Sequence, residues 1–146
     1  MTRKTILSIL VLLTSQTVAA QDALIRAADK YLPGVKWKAE SVITGDFSCR
    51  GRKQVAILGT TPSDVVVAVF LNGVSHRPME LRFRFEDTAK LAVEGLDYDP
   101  KDDLGYALEG FRRSKTCKGF SVDDEATDPA HIYWSHKARQ FGMWRN

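Results

Sequence analysis

The chain has 146 residues, 44% of them hydrophobic and 27% charged, enough for one domain with a real core and too few for two. Its 21 basic and 18 acidic side chains leave a formal charge of +3, too near neutral for global charge to argue for binding to nucleic acid or membrane. Any electrostatic function must come from where the charges are placed.

The first 20 residues, MTRKTILSILVLLTSQTVAA, join a basic end (Arg3, Lys4) to an apolar run from Ile6 to Leu13 and small residues at the close, with Val18 and Ala20 suiting a signal peptidase. This pattern predicts a signal peptide over 1–20, cleaved after Ala20, and a single globular domain over 21–146. The apolar run is far shorter than the roughly 20 residues that span a bilayer. The first cysteine is Cys49, well beyond the cleavage site, so no lipid anchor and no stable membrane insertion are expected. The mature chain is predicted to be periplasmic or secreted. Without Arg3 and Lys4 it carries 19 basic against 18 acidic side chains, a net charge of +1.

After the signal, Asp22 is placed to cap a helix whose apolar stripe is Leu24, Ile25, Ala28, Tyr31 and Leu32, ended by Pro33 and Gly34. Lys36 to Ile43 alternates as a half-buried strand, and Gly45-Asp46 marks a turn. Val55 to Leu58 and Val65 to Leu71 are continuous apolar runs, as central strands covered on both faces require, and the helix is available to cover one face. Asn72-Gly73 signals a tight turn. Beyond it, MELRFRFE sets Leu81, Phe83 and Phe85 against Arg82 and Arg84, a strand with one wet face. Residues 87–128 offer only short apolar pieces among acidic turns. The segments HIYWSH and QFGMWR predict a closing hairpin in which Tyr133, Trp134, Phe141 and Trp144 are core or cross-strand pairs rather than a ligand platform. The expected fold class is α+β, an N-terminal amphipathic helix packed on a mostly antiparallel sheet of about six to eight strands.

The stretch GDFSCRGRKQVAIL, Gly45 to Leu58, resembles the GDFxGDGxxD hairpin of FG-GAP and related calcium-loop repeats, where a D-x-D-x-D-G-x-x-D spacing wraps oxygens around Ca²⁺ before a hydrophobic strand. Carried over residue by residue, the ligand positions fall on Asp46, Ser48, Arg50 and Gln54, with the turn glycine kept at Gly51. Only the first carboxylate survives, and a cation at Arg50 opposes a hard metal ion that needs several oxygen ligands and negative charge. The resemblance therefore implies the turn geometry with its metal ligands lost; neither a metal nor any other cofactor is expected, and the repeat's propeller fold does not carry over.

Cys49 sits in that loop, and the other cysteine is Cys117. In an oxidising compartment an even pair reads as a disulfide, the alternatives being two buried thiols or pairing between chains. A bridge closing a loop of this length contributes about 4 to 5 kcal/mol by the chain-entropy estimate. It would gather Arg50, Arg52 and Lys53 with Arg112, Arg113, Lys115 and Lys118, a candidate binding patch for an acidic protein or other anionic component of the cell envelope. The competing reading is a mixed, solvated surface in which Asp46, Glu109 and the carboxylates of 123–125 interleave with these cations. Nucleic acid is not expected, because no aromatic residue lies among the basic ones.

Enzyme signatures are poor. The chain contains no GxSxG, HExxH or CxxC, and His131 and His136 are five apart, which on a strand points them to opposite faces. Asp97, Asp99, Asp102 and Asp103 lie in a segment without the glycine and closing glutamate of an EF-hand and read as an acidic turn. Ser75-His76 are neighbours without triad geometry. Two classes of function stand. The first is a non-enzymatic binding protein, such as an inhibitor, immunity factor or accessory subunit, and the sequence favours it. The alternative is a small periplasmic hydrolase using His76, His131 or His136 with one of the central aspartates. A concave pocket joining a histidine to a carboxylate would favour the hydrolase, and a flat or convex basic and aromatic face without such a pair would favour the binding protein.

Overall fold

The structure is a computed structural model that describes residues 4–145, with side chains from Val18 onward. Met1 to Arg3, and the side chains of most of the expected signal segment, lie outside the described residues. The backbone runs as one helix, α1, from Lys4 to Tyr31. Asp22 therefore lies within α1 in this uncleaved chain and is not an N-cap. Leu24, Ala28 and Leu32 are buried as the stripe requires, with Ile25 and Tyr31 packed beside them. Pro33 cannot continue the helical hydrogen bonds, and Gly34 at φ 83 turns the chain out of the helix.

Among the described residues nine strands follow, all antiparallel, in two sheets rather than one sheet of six to eight. The first sheet holds β1 (Lys36–Trp37), β2 (Ile43–Gly45), β3 (Gln54–Thr60), β4 (Val65–Phe70) and β5 (Met79–Phe83). Its order is β1-β3-β4-β5, with β2 also paired to β3. The second is the meander β6 (Lys90–Leu96), β7 (Ser114–Asp123), β8 (Ala130–Ser135) and β9 (Gln140–Trp144). A short helix, α2 (Pro100–Leu104), lies between β6 and β7.

The layers explain the sequence pattern. One face of β3 and β4 (Ala56, Leu58, Val65, Val67, Val69) packs against Phe120, Val122, Ala130 and Ile132 of the second sheet. The other face (Ile57, Val66, Ala68, Phe70) packs against Leu24, Ala28 and Leu32 of α1. Burial on both sides is why these strands read as unbroken apolar runs; each buried valine, leucine, isoleucine or phenylalanine contributes roughly 1.5–3 kcal/mol. A third cluster lies on the outer face of the second sheet. There Leu96, Cys117, Tyr133 and Trp144 are covered by Tyr98, Leu104, Leu108 and Phe111 of the segment joining β6 to β7.

Two strand assignments change in detail. The expected strand over Lys36 to Ile43 is broken by a 3-10 turn at Ala39–Ser41, where the Ser41 hydroxyl accepts from Leu58 N at 2.9 Å and donates to Lys38 O at 2.6 Å. A polar side chain thus takes the place of a ladder hydrogen bond and splits the strand into β1 and β2. Asn72-Gly73 opens a longer connection to β5 rather than a two-residue hairpin; Gly73 takes φ 84 and His76 N donates to Gly73 O. The closing hairpin forms as expected, with Trp134 opposite Phe141 and their rings edge to face at 5.3 Å.

Candidate functional site

The loop between β2 and β3 is closed by its own hydrogen bonds. Both carboxylate oxygens of Asp46 accept backbone amides, Oδ1 from Arg50 N at 2.9 Å and Oδ2 from Gly51 N at 2.7 Å. Left-handed residues at Cys49 (φ 56) and Gly51 (φ 69) curl the chain around it. Gln54, buried at the start of β3, accepts from Ser48 N at 2.9 Å and donates through Nε2 to Ser48 Oγ at 2.6 Å and Leu71 O at 3.2 Å. Three of the positions that the calcium-loop resemblance assigns to ligands are thus engaged with the protein itself. The fourth, Arg50, is exposed, with its guanidinium carbon 5.9 Å from the Trp134 ring centre.

Cys49 is bonded to Cys117 on β7, with the Cα atoms 4.8 Å apart. Next to the bridge, Lys118 N donates to Asp46 O at 3.1 Å. The loop is thereby fastened to the second sheet by one covalent and one hydrogen bond, and Arg50 and Lys118 flank the junction. Arg112 lies near His136, whose pKa is held below its ordinary value by burial and then by the Arg112 charge. Arg50 and Arg112 therefore both border the end of β8. Arg52 points elsewhere, donating to Asn72 Oδ1 at 3.3 Å. Arg113 donates to the Asp97 carbonyl at 2.6 Å. Lys53 and Lys115 are exposed.

Among the described residues none of these seven cations makes a salt bridge. Of the five carboxylates expected to interleave with them, Asp123 accepts from Glu125 N at 2.8 Å, and the other four are also engaged. Asp46 holds its own loop. Glu109 pairs with Lys137, whose ammonium keeps the glutamate below the usual carboxylate range. Glu125 pairs with Lys90 at 2.5 Å. Asp124 accepts from Glu86 N, Ala126 N, Thr127 N and Thr127 Oγ1 at 3.0–3.1 Å.

The histidines separate. His76 lies in the exposed connection after β4, its Nδ1 3.2 Å from Ser75 Oγ. His131, on the outer face of β8, is hydrogen-bonded through Nδ1 to Glu94 on β6 at 2.9 and 3.1 Å. It also stacks on its cross-strand partner Trp144, ring centres 4.1 Å apart. An open cleft beside it is lined by Asp103, Leu104, Tyr106, His131, Trp144 and Arg145. The carboxylate that meets a histidine is thus Glu94, and Asp103 shares the cleft. Asp99 instead caps α2 by accepting from Lys101 N at 3.0 Å. No motif marks Glu94 in the sequence, since only the pairing of β6, β7 and β8 brings residues 94 and 131 together. In the tautomer whose Nδ1–H is given to the carboxylate, the ring has its Nε2 lone pair for another group. Among the described residues no serine, threonine or cysteine side chain is hydrogen-bonded to that ring, and no group of three or more metal-binding side chains is assembled.

Among the described residues no helix is long and apolar enough to cross a membrane, which says nothing of a β-barrel. No family model, curated protein or solved structure matches the chain.

Proposed function

We propose that the protein is an exported, periplasmic or secreted binding protein that captures an acidic protein through the basic surface around Cys49–Cys117. The observation that carries this reading is that among the described residues Arg50 and Lys118 beside the bridge, and Arg112 near the end of β8, make no salt bridge, while Asp46 is spent on the amides of its own loop and Glu109, Asp124 and Glu125 are bound elsewhere. Basic charge left uncompensated on a rigid, covalently fastened surface steers an acidic partner and fixes its orientation. Export fits the disulfide and the basic, apolar and small-residue order of residues 1–20. Among the described side chains Val18, Ala19 and Ala20 are exposed, and the first buried one is Leu24.

The test is capture from an envelope extract by immobilised mature protein and by the variant Arg50→Glu with Arg112→Glu. Both positions are exposed, so the variant folds with little loss of stability. Wild type retains an acidic protein that the variant loses; equal retention by both would end the proposal.

The His131–Glu94 pair in its open cleft favours a second reading, a hydrolase in which Glu94 orients the ring and Nε2 takes a proton from water. His131→Gln removes that base. Any ester or phosphodiester hydrolysis by the purified mature protein should then fall by about 100-fold or more, and an undiminished rate would exclude the pair as the site.

A further inference from the structure

A sheet edge offers unpaired N–H and C=O groups to any extended chain, and stable proteins blunt such edges with short strands, charges, proline or bulges. Three of the four edge regions here are blunted. β1 and β2 have two and three residues. β5 carries Glu80 and Arg82, which pair with each other at 2.5 Å, and follows Pro78. β6 carries Lys90 and Glu94, and its register shifts at Gly95/Leu96. β9 has none of these devices. Its sequence, QFGMW, contains no charge and no proline, and its register with β8 is unbroken from Gln140 to Trp144. Alternate backbone groups of such a strand face away from its neighbour, and among the described residues no strand pairs with that side. Met143 is 53% exposed, an apolar contact left for a neighbouring strand.

The ends of β9 say which neighbour fits. Exposed arginines stand at both, Arg139 and Arg145. Two copies pairing antiparallel and in register about Gly142 would bring each Arg139, in the hairpin turn at φ 54, close to the other copy's Arg145, and like charges brought together across strands are destabilising. We infer that β9 is a docking edge for an extended acidic segment of the partner, added as a further strand, with Arg139 and Arg145 both selecting its carboxylates and preventing self-pairing. The inference rests on the acidic partner proposed above and adds its mode of docking.

Charge inversion tests the edge without knowledge of the partner. Arg139→Glu, or Arg145→Glu alone, replaces both Arg–Arg oppositions by Glu–Arg pairs. Each single variant should sediment as a dimer at concentrations where wild type is a monomer, and the double variant should return to monomer. A synthetic octapeptide of alternating glutamate and valine, added to wild type, should slow amide exchange at 140–144 by about tenfold and have no such effect on the double variant. Single variants that stay monomeric, or peptide protection that appears only near Arg50 and Lys118, would overturn the docking edge. The second outcome would leave the basic surface standing, and loss of the Arg50 and Arg112 effect on capture would remove the basic surface while leaving the edge.

Discussion

Asp124 shows how a single side chain joins two turns of this protein. It is 5% exposed and accepts four hydrogen bonds, one from Glu86 before β6 and three from the turn between β7 and β8. The Glu86 amide most of all, with Thr127 and Ala126, outweighs burial and lowers its pKa from 3.8 to about 2. Since the folded value is the lower one, the stabilisation is complete above the unfolded value and is lost as pH falls through about 2. Asp124→Ala should lower the melting temperature by several degrees at neutral pH, and the gap to wild type should narrow between pH 3.8 and about 2. A gap independent of pH over that interval would show that the carboxylate charge is not what these amides hold. The residue is hard to recognise beforehand, because the run Asp123-Asp124-Glu125 reads as a generic acidic turn and only the middle carboxylate points inward.

At the scale of elements, what the sequence discloses depends on how many layers cover a strand. β3 and β4 are legible because α1 and the second sheet bury both faces, so nearly every residue is apolar. The closing hairpin is legible from paired aromatics on either side of a polar turn. β7 is not, although it is the longest strand at ten residues. Its outer face carries Cys117, Gly119 and Ser121 rather than large apolar residues, so neither alternation nor an apolar run appears. The division into two sheets is hidden for a related reason, since the turn after β5 looks like any other and only register decides that β6 pairs with β7. Within the candidate site the cystine pair is legible from the even cysteine count, whereas Glu94 facing His131 and the bare edge of β9 depend on strand order. The cystine links β7 to the loop before β3 across a separation of 68 residues. Cys49→Ser with Cys117→Ser should destabilise by about 2–5 kcal/mol, read as a lower midpoint in denaturant. An unchanged midpoint would mean that the Lys118 to Asp46 hydrogen bond and the surrounding packing hold the loop alone.

For the whole molecule, a chain of formal net charge +3 folds with Arg50, Lys53, Arg112 and Lys115 exposed and, among the described residues, without salt bridges. Glu109, Asp124 and Glu125 are taken up in turns or local ion pairs, and Arg50 beside the bridge is exposed. Binding at such a surface depends on salt because exposed charges are screened over about 8 Å at physiological ionic strength. The most direct measurement is the association rate of the captured acidic protein with wild type and with the Arg50→Glu, Arg112→Glu variant across a range of ionic strength. The account predicts a wild-type rate that falls steeply as salt rises and a variant rate that is low and nearly flat. A wild-type rate independent of salt, or one that the two glutamates leave unchanged, would contradict it.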